Sequence, residues 1–311
     1  MNFQRPNKTQ AAFTLVELLV AMTITTIIVS VLVSVTSMAM DTWNRSRSEL
    51  RAARQAKSMV DSMANDFEAL VMRRGNTNEW LSAVTDPNLS SLGPTSLKSP
   101  NASKLIFFTA ATDRYNGDIG VTGKDLGGDV SCVGYQLLYQ NPFTLSAAAT
   151  AGGDYNTFVL YRRLENPNDT FNNLLGKAGD SPLQPLNTVF TGALSQASNF
   201  VCENISQFTL TFHVQVADTS TPPVISDVPV TMGGTVTKFR ILGSRIDTDY
   251  SGASFTFVPA GRVTGIEIAV TVVSDYGLDQ LKKPSLPANV ITKIKAQNSY
   301  QYSKRVSVPG M

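Results

Sequence analysis

Histidine is almost missing from this chain: His213 is the one imidazole among 311 residues. Ser–His–Asp and Cys–His arrangements need an imidazole base, so all such chemistry would rest on this residue inside the strand-like run TLTFHVQV. A lone histidine in a strand is most simply structural. A Ser/Lys pair stays open, but no pattern marks one. The chain also lacks a P-loop, GxGxxG and HExxH, so neither an enzyme nor a cofactor is expected. Cysteine is scarce, with Cys132 and Cys202 far apart and outside any CxxC, which excludes a zinc knuckle and a thioredoxin-like motif. An oxidising compartment would allow one disulfide between them; the other reading is two buried free thiols. Charged residues make up only 16% and the formal net charge is +2, too balanced for a nucleic-acid footprint. Low charge with abundant Ser, Thr and Asn suits an extracytoplasmic protein rich in β-structure.

What the chain does have is one long apolar run. Residues 1–12 carry Arg5 and Lys8 and no acid; then FTLVELLVAMTITTIIVSVLVSV, residues 13–35, holds a single charge, Glu17, and neither Pro nor Gly. As a helix this run spans roughly 34 Å, enough to cross a hydrocarbon core of about 30 Å. It is too long for the roughly 7–15 residue apolar core of a secretory signal. Its many β-branched residues matter little in lipid, where only intrahelical hydrogen bonds satisfy the backbone. A carboxylate inside such a run costs about 2.5–3.5 kcal/mol on insertion scales, so Glu17 calls for a partner unless it reaches headgroups at the membrane surface.

The string of a small residue, Phe, Thr, Leu, Val, Glu and a long apolar run resembles the type IV prepilin processing motif. The resemblance implies cleavage by the prepilin peptidase between Ala12 and Phe13 on the cytoplasmic side, followed by N-methylation of Phe13. Gly usually precedes the cut in that family; Ala12 is also small. Residues 1–12 would then be a leader peptide and 13–35 a transmembrane helix in the inner membrane, with the amino terminus cytoplasmic and the bulk of the chain periplasmic. The new amine on Phe13 lies four residues before Glu17. Staggered helices in a filament would let one subunit's Glu17 meet its neighbour's Phe13 amine, offsetting the desolvation of both charges and fixing the axial register. Against this orientation stand Arg45, Arg47, Arg51, Arg54 and Lys57 after the span, which outnumber Arg5 and Lys8 before it.

Residues 36–75 read as an amphipathic continuation of the helix. Trp43, Leu50, Met59, Val60, Met63, Phe67, Leu70 and Val71 recur at helical spacings, and Arg73–Arg74–Gly75 reads as the stop. The basic run is most simply a solvated face, otherwise a contact to anionic lipid or a neighbouring pilin. Residues 76–311 read as a β-rich periplasmic domain. Its strands are expected at Lys104–Thr109, Val133–Gln140, Thr157–Leu164, Gln207–Val216, Thr235–Leu242, Ser254–Val258, Val263–Val273 and Tyr300–Val308. Loops are expected over 82–103, 113–131, 145–156, 166–200 and 217–234. The expected fold is therefore α+β and pilin-like, a long N-terminal helix packed on an antiparallel sheet.

The anchor, Trp43-Asn-Arg, VGYQLLYQ, FVLYRRL, ENISQFTLTFH, GIEIAVTVVS and the terminal SKRVSVPG follow an order that resembles minor pseudopilin J of type II secretion systems and minor pilin W of type IV pili about equally; the prepilin-like Verru_Chthon cassette proteins are a third such group. The resemblance implies a structural subunit that primes assembly or sits near a filament tip. Its partners would be other pilins or pseudopilins, the prepilin peptidase, the inner-membrane assembly platform and the lipid bilayer. The alternative is a tip adhesin or cargo-binding module on a pilin-type anchor. One metal-like pattern remains: Asp247, Asp249 and Ser251 with Gly252 match the first half of an EF-hand loop, but its last position is Val258 rather than Glu, and a simple turn explains the same residues.

Overall fold

The computed structural model describes residues 14–76, 78–85, 104–110, 130–144, 155–175, 196–215, 225–230, 236–243, 245–250, 253–258 and 261–308, with positions 89, 93 and 97. The chain divides into two units, Met1–Arg47 and Ser48–Met311. The helix α1 (Leu15–Glu68) contributes to both. In the first unit every described residue is exposed. Without Gly or Pro the helix runs unbroken. The hydroxyls of Thr23, Thr25 and Thr26 donate to the carbonyls of Val20, Ala21 and Met22, each at 2.8 Å, so these side chains need no partner outside the helix.

In the second unit, the rest of α1 buries Ala52, Ala56, Met59, Met63, Ala64 and Phe67, a stripe at three- and four-residue spacing. The small alanines bring the backbone close to the sheet, and Phe67 stacks on Phe107 with ring centroids 4.4 Å apart. The apolar face is narrower than the sequence pattern implies, because Trp43 is 69% and Leu50 56% exposed. The helix also ends earlier than expected, at Glu68 rather than at Arg73–Arg74–Gly75. After Glu68 the backbone is captured by a strand: Val71 N–H donates to the Phe108 carbonyl, Ala110 N–H to that of Ala69, and the Thr109 hydroxyl to that of Asp66. Gly75 serves a later turn, where its φ of +81° suits glycine and its N–H reaches the Gly243 carbonyl.

The strands are β1 (Glu79–Val84), β2 (Lys104–Thr109), β3 (Ser131–Gln140), β4 (Thr157–Glu165), β5 (Phe200–Cys202), β6 (Ile205–Gln215), β7 (Ile225–Val230), β8 (Val236–Leu242), β9 (Ile246–Tyr250), β10 (Ala253–Val258), β11 (Arg262–Val273) and β12 (Ser299–Ser307). They form one sheet in the order β12-β11-β6-β7-β8-β1-β2-β3-β4-β5, with β9 pairing β8 and β10 pairing β9. All pairings are antiparallel except a single parallel bridge, Val230 to Val236, between β7 and β8. The sheet curls, since β5 at one end of this order passes through Glu203–Asn204 directly into β6. The fold is α+β in a pilin-like arrangement, as the sequence implies.

All eight expected strands form. Four others, β1, β5, β7 and β9, arise where the sequence pattern points to turns or loops. Helix α2 (Pro167–Thr170) forms within the expected 166–200 loop, while α3 (Asp275–Leu281) and α4 (Ala288–Asn298) form in a stretch for which the sequence pattern assigns no element. Leu278 and Leu281 of α3 and Ile294 of α4 join the main core. A Cβ on Gly277 would lie 2.4 Å from that of Asn298, so this glycine is what lets α3 and α4 approach. A second, smaller core of Trp80, Phe108, Cys132, Val159, Tyr161 and Leu174 fills the other face of the sheet.

Candidate functional site

Glu17 sits in the first turn of α1 and closes a reciprocal capping box with Thr14. The Thr14 N–H and hydroxyl each donate to Glu17 Oε2 at 2.9 Å, while the Glu17 N–H donates to Thr14 Oγ1 at 3.3 Å. The pattern Thr14-Leu15-Val16-Glu17 is Thr-x-x-Glu, in which the cap hydroxyl and the third-position carboxylate each take a free N–H of the helix start. A carboxylate there also faces the positive end of the helix dipole. Sequence reasoning finds Glu17 through its charge and overlooks Thr14, although the capping pattern was there to be read. Ala12 and Phe13 lie outside the described residues.

The described side chains of the apolar run are fully presented to their surroundings. Leu18, Ile27 and Val33 are 57%, 65% and 63% exposed, values that would be untenable for a helix in water. This is the one described helix long and apolar enough to cross a membrane.

Two polar clusters anchor the lower part of α1 within the second unit. Asp66 is fully buried and accepts from Arg162 Nε at 2.8 Å, Arg162 Nη2 at 2.9 Å and the Tyr135 hydroxyl at 2.5 Å. Burial, and then the Asp66 charge, push the Tyr135 phenol well above its usual value. Nearer the helix midpoint, Arg51 donates to Glu203 Oε1 at 2.5 Å and lies 3.5 Å from Asp275 Oδ2. Arg51 thus pairs within its own unit while its side chain stays half exposed. Burial raises the Glu203 carboxyl above its ordinary value, against the lowering effect of Arg51.

The remaining sequence candidates are dispersed. Cys132 and Cys202 are both free and buried. Across β4, Cys132 is opposite Glu165 and Cys202 opposite Leu160. An odd residue offset puts the two thiols on opposite faces, and five residues separate them by roughly 17 Å along the strand, so no disulfide is within reach. The calcium reading loses its first ligand, because Asp247 is buried in β9 and its carboxylate meets Arg245 at 2.9 Å and Arg240 at 3.5 Å. The Asp249 side chain and Ser251 lie outside the described residues, and no cluster of three metal-ligating side chains occurs among the described ones. His213 of β6 faces Asp227 of β7, with Nδ1 2.6 Å from Oδ1, a cross-strand pair.

Among curated proteins and solved structures, no match was found. Residues 7–33 match the family model of the prokaryotic N-terminal methylation motif, a stretch that contains both Thr14 and Glu17. That match supports a type IV prepilin-like protein.

Proposed function

We propose that this chain is a structural subunit, a minor pseudopilin or minor pilin, of a type II secretion or type IV pilus-like filament. The methylation motif at residues 7–33, which opens an exposed apolar helix, carries this reading. The prepilin peptidase removes residues 1–12 and methylates Phe13. The anchor then holds the domain on the periplasmic face of the inner membrane, and the subunit joins other pilins or pseudopilins at the assembly platform, priming the filament or sitting near its tip. The part played by Glu17 is electrostatic: its carboxylate receives the Phe13 amine of a neighbouring subunit. N-terminal mass spectrometry of membrane-extracted protein tests the reading. The expected start is a methylated Phe13; a start at Met1, or a cut after residue 30, would refute it.

A second reading, a tip adhesin or cargo-binding module, is favoured by Phe143 and Tyr155. These flank the connection between β3 and β4, are 76% and 65% exposed, and meet edge to face with centroids 6.4 Å apart. Exposed aromatics of this kind are common binding anchors. A pull-down with a soluble 36–311 fragment separates the two roles. Sister pilins support priming; a secreted protein or surface ligand, lost when Phe143 and Tyr155 become Ala, supports binding.

A further inference from the structure

We propose that two carboxylates, Glu17 and Asp41, set the depth of α1 in the bilayer, so that hydrocarbon covers Leu18–Met40 and Trp43 lies in the outer headgroup layer. The proposal rests on the reading of α1 as a membrane anchor, and its occupant is a phospholipid bilayer.

No charged residue falls between Glu17 and Asp41. As a helix, Leu18–Met40 measures roughly 34 Å, slightly more than a hydrocarbon core of about 30 Å, so both carboxylates lie outside it. The frame suggested by residue composition alone, 13–35, is five residues lower. It sinks Glu17 into hydrocarbon while leaving Met38, Met40 and Trp43, which are 69%, 62% and 69% exposed, on the aqueous side. Raising the hydrocarbon boundary along the chain by those five residues removes both faults.

The two ends of the proposed frame have the chemistry of membrane interfaces. At the outer end, Met40, Trp43 and Arg47 follow at three- and four-residue spacing and share one helix face, passing from apolar to amphipathic to cationic. An indole with an apolar body and one N–H donor suits the headgroup level. Trp43 is three residues, roughly 4.5 Å, beyond Met40, within a headgroup layer about 5–7 Å deep; in the 13–35 frame it would stand roughly 12 Å above the core, past that layer. At the inner end, the Glu17 carboxylate is already held by the Thr14 N–H and hydroxyl and sits among headgroups. Within the run, the hydroxyls of Thr23, Thr25 and Thr26 are satisfied by the helix's own carbonyls, as hydrocarbon requires.

The test uses the full chain in phosphatidylcholine–phosphatidylglycerol vesicles carrying nitroxide-labelled lipids. Trp80 is buried, so subtracting the fluorescence of a Trp43→Phe variant isolates Trp43 without disturbing the core. Flotation and resistance to carbonate extraction report insertion separately. The expected result is an inserted chain whose Trp43 fluorescence is largely lost with a nitroxide near the headgroup and little changed with one at the acyl-chain terminus. An inserted chain with Trp43 quenched by neither probe, or more by the deep one, overturns the proposed depth while leaving the anchor intact. A chain that carbonate extracts overturns the anchor and the depth together.

Discussion

Arg162 of β4 grips Asp66 of α1 with two parallel N–H···O bonds of 2.8 and 2.9 Å. A planar guanidinium and a carboxylate fit this geometry, and the Tyr135 hydroxyl adds a third bond to the same carboxylate. The cluster sits one residue before Phe67, so the polar lock and the aromatic stack of Phe67 on Phe107 fix the same helical turn to the sheet. Asp66→Ala leaves Arg162 and Tyr135 without their acceptor in a buried site. The expected cost is about 3–5 kcal/mol, read from urea unfolding of a soluble 36–311 fragment. Asp66→Asn, which keeps an acceptor oxygen, should cost less. An Ala variant as stable as the parent would show that the sheet holds α1 without this lock.

The two thiols give a second expectation. Burial pushes Cys202 up to about 12 and Cys132 well above its usual value, with Glu165 adding to the latter. A raised folded-state value means the folded protein holds the proton more tightly than the unfolded chain does. The stabilisation is therefore complete below the ordinary thiol value of about 8.5 and fades as pH climbs through about 12. Buried Tyr135 acts with the same sign. At pH 8, iodoacetamide should label neither cysteine in the folded protein and both in urea, and unfolding should become easier as the pH rises beyond about 9. Rapid labelling of the folded state, or an intact disulfide by mass spectrometry, would contradict the buried, separated thiols.

Topology is the third expectation. The region after residue 36 should be periplasmic although Arg45, Arg47, Arg51, Arg54 and Lys57 follow the span. Reporter fusions at position 80 should be active only with a reporter that works in the periplasm. Activity of a cytoplasmic reporter there would mean that the charge asymmetry governs insertion.

The sheet was largely legible in the sequence because period-two alternation survives in strands with one buried face. Lys104–Thr109 coincides with β2, and Val263–Val273 begins one residue inside β11. The missed strands are those in which local chemistry argues against extension. In β7, Ile225 to Asp227 are exposed and Pro229 interrupts the run, and the strand touches β8 at a single bridge. In β9, the Asp-Thr-Asp sequence has turn chemistry, and tertiary pairing with β8 overrides it. Helices α3 and α4 were obscured by Gly277, Pro284 and Pro287, although Val290, Ile291 and Ile294 have helical spacing. At the candidate site, Glu17 was legible as a charge in an apolar run, and Thr14 by its three-residue offset. The partners of α1 were not legible: Arg162 is 96 residues from Asp66, and Glu203 is 152 from Arg51, separations that carry no periodic signal.

If Glu17 is required for assembly but not for membrane insertion or processing, the fate of Glu17→Ala shows it most directly. With the carboxylate at the inner headgroup layer, insertion should be unchanged. Removing the capping partner of Thr14 should fray the first turn of α1 at a cost of about 0.5–2 kcal/mol, too little to release a membrane helix. Cleavage at Ala12–Phe13 should persist. Incorporation should fail, because each Phe13 amine loses its acceptor and breaking such a buried pair costs about 3–5 kcal/mol. The measurement is the ratio of Glu17→Ala protein in sheared filaments to that in the membrane fraction, with N-terminal masses read from both. Processed, membrane-resident protein absent from filaments is the expected result; normal filament incorporation of Glu17→Ala would mean that the Phe13 amine does not need this carboxylate.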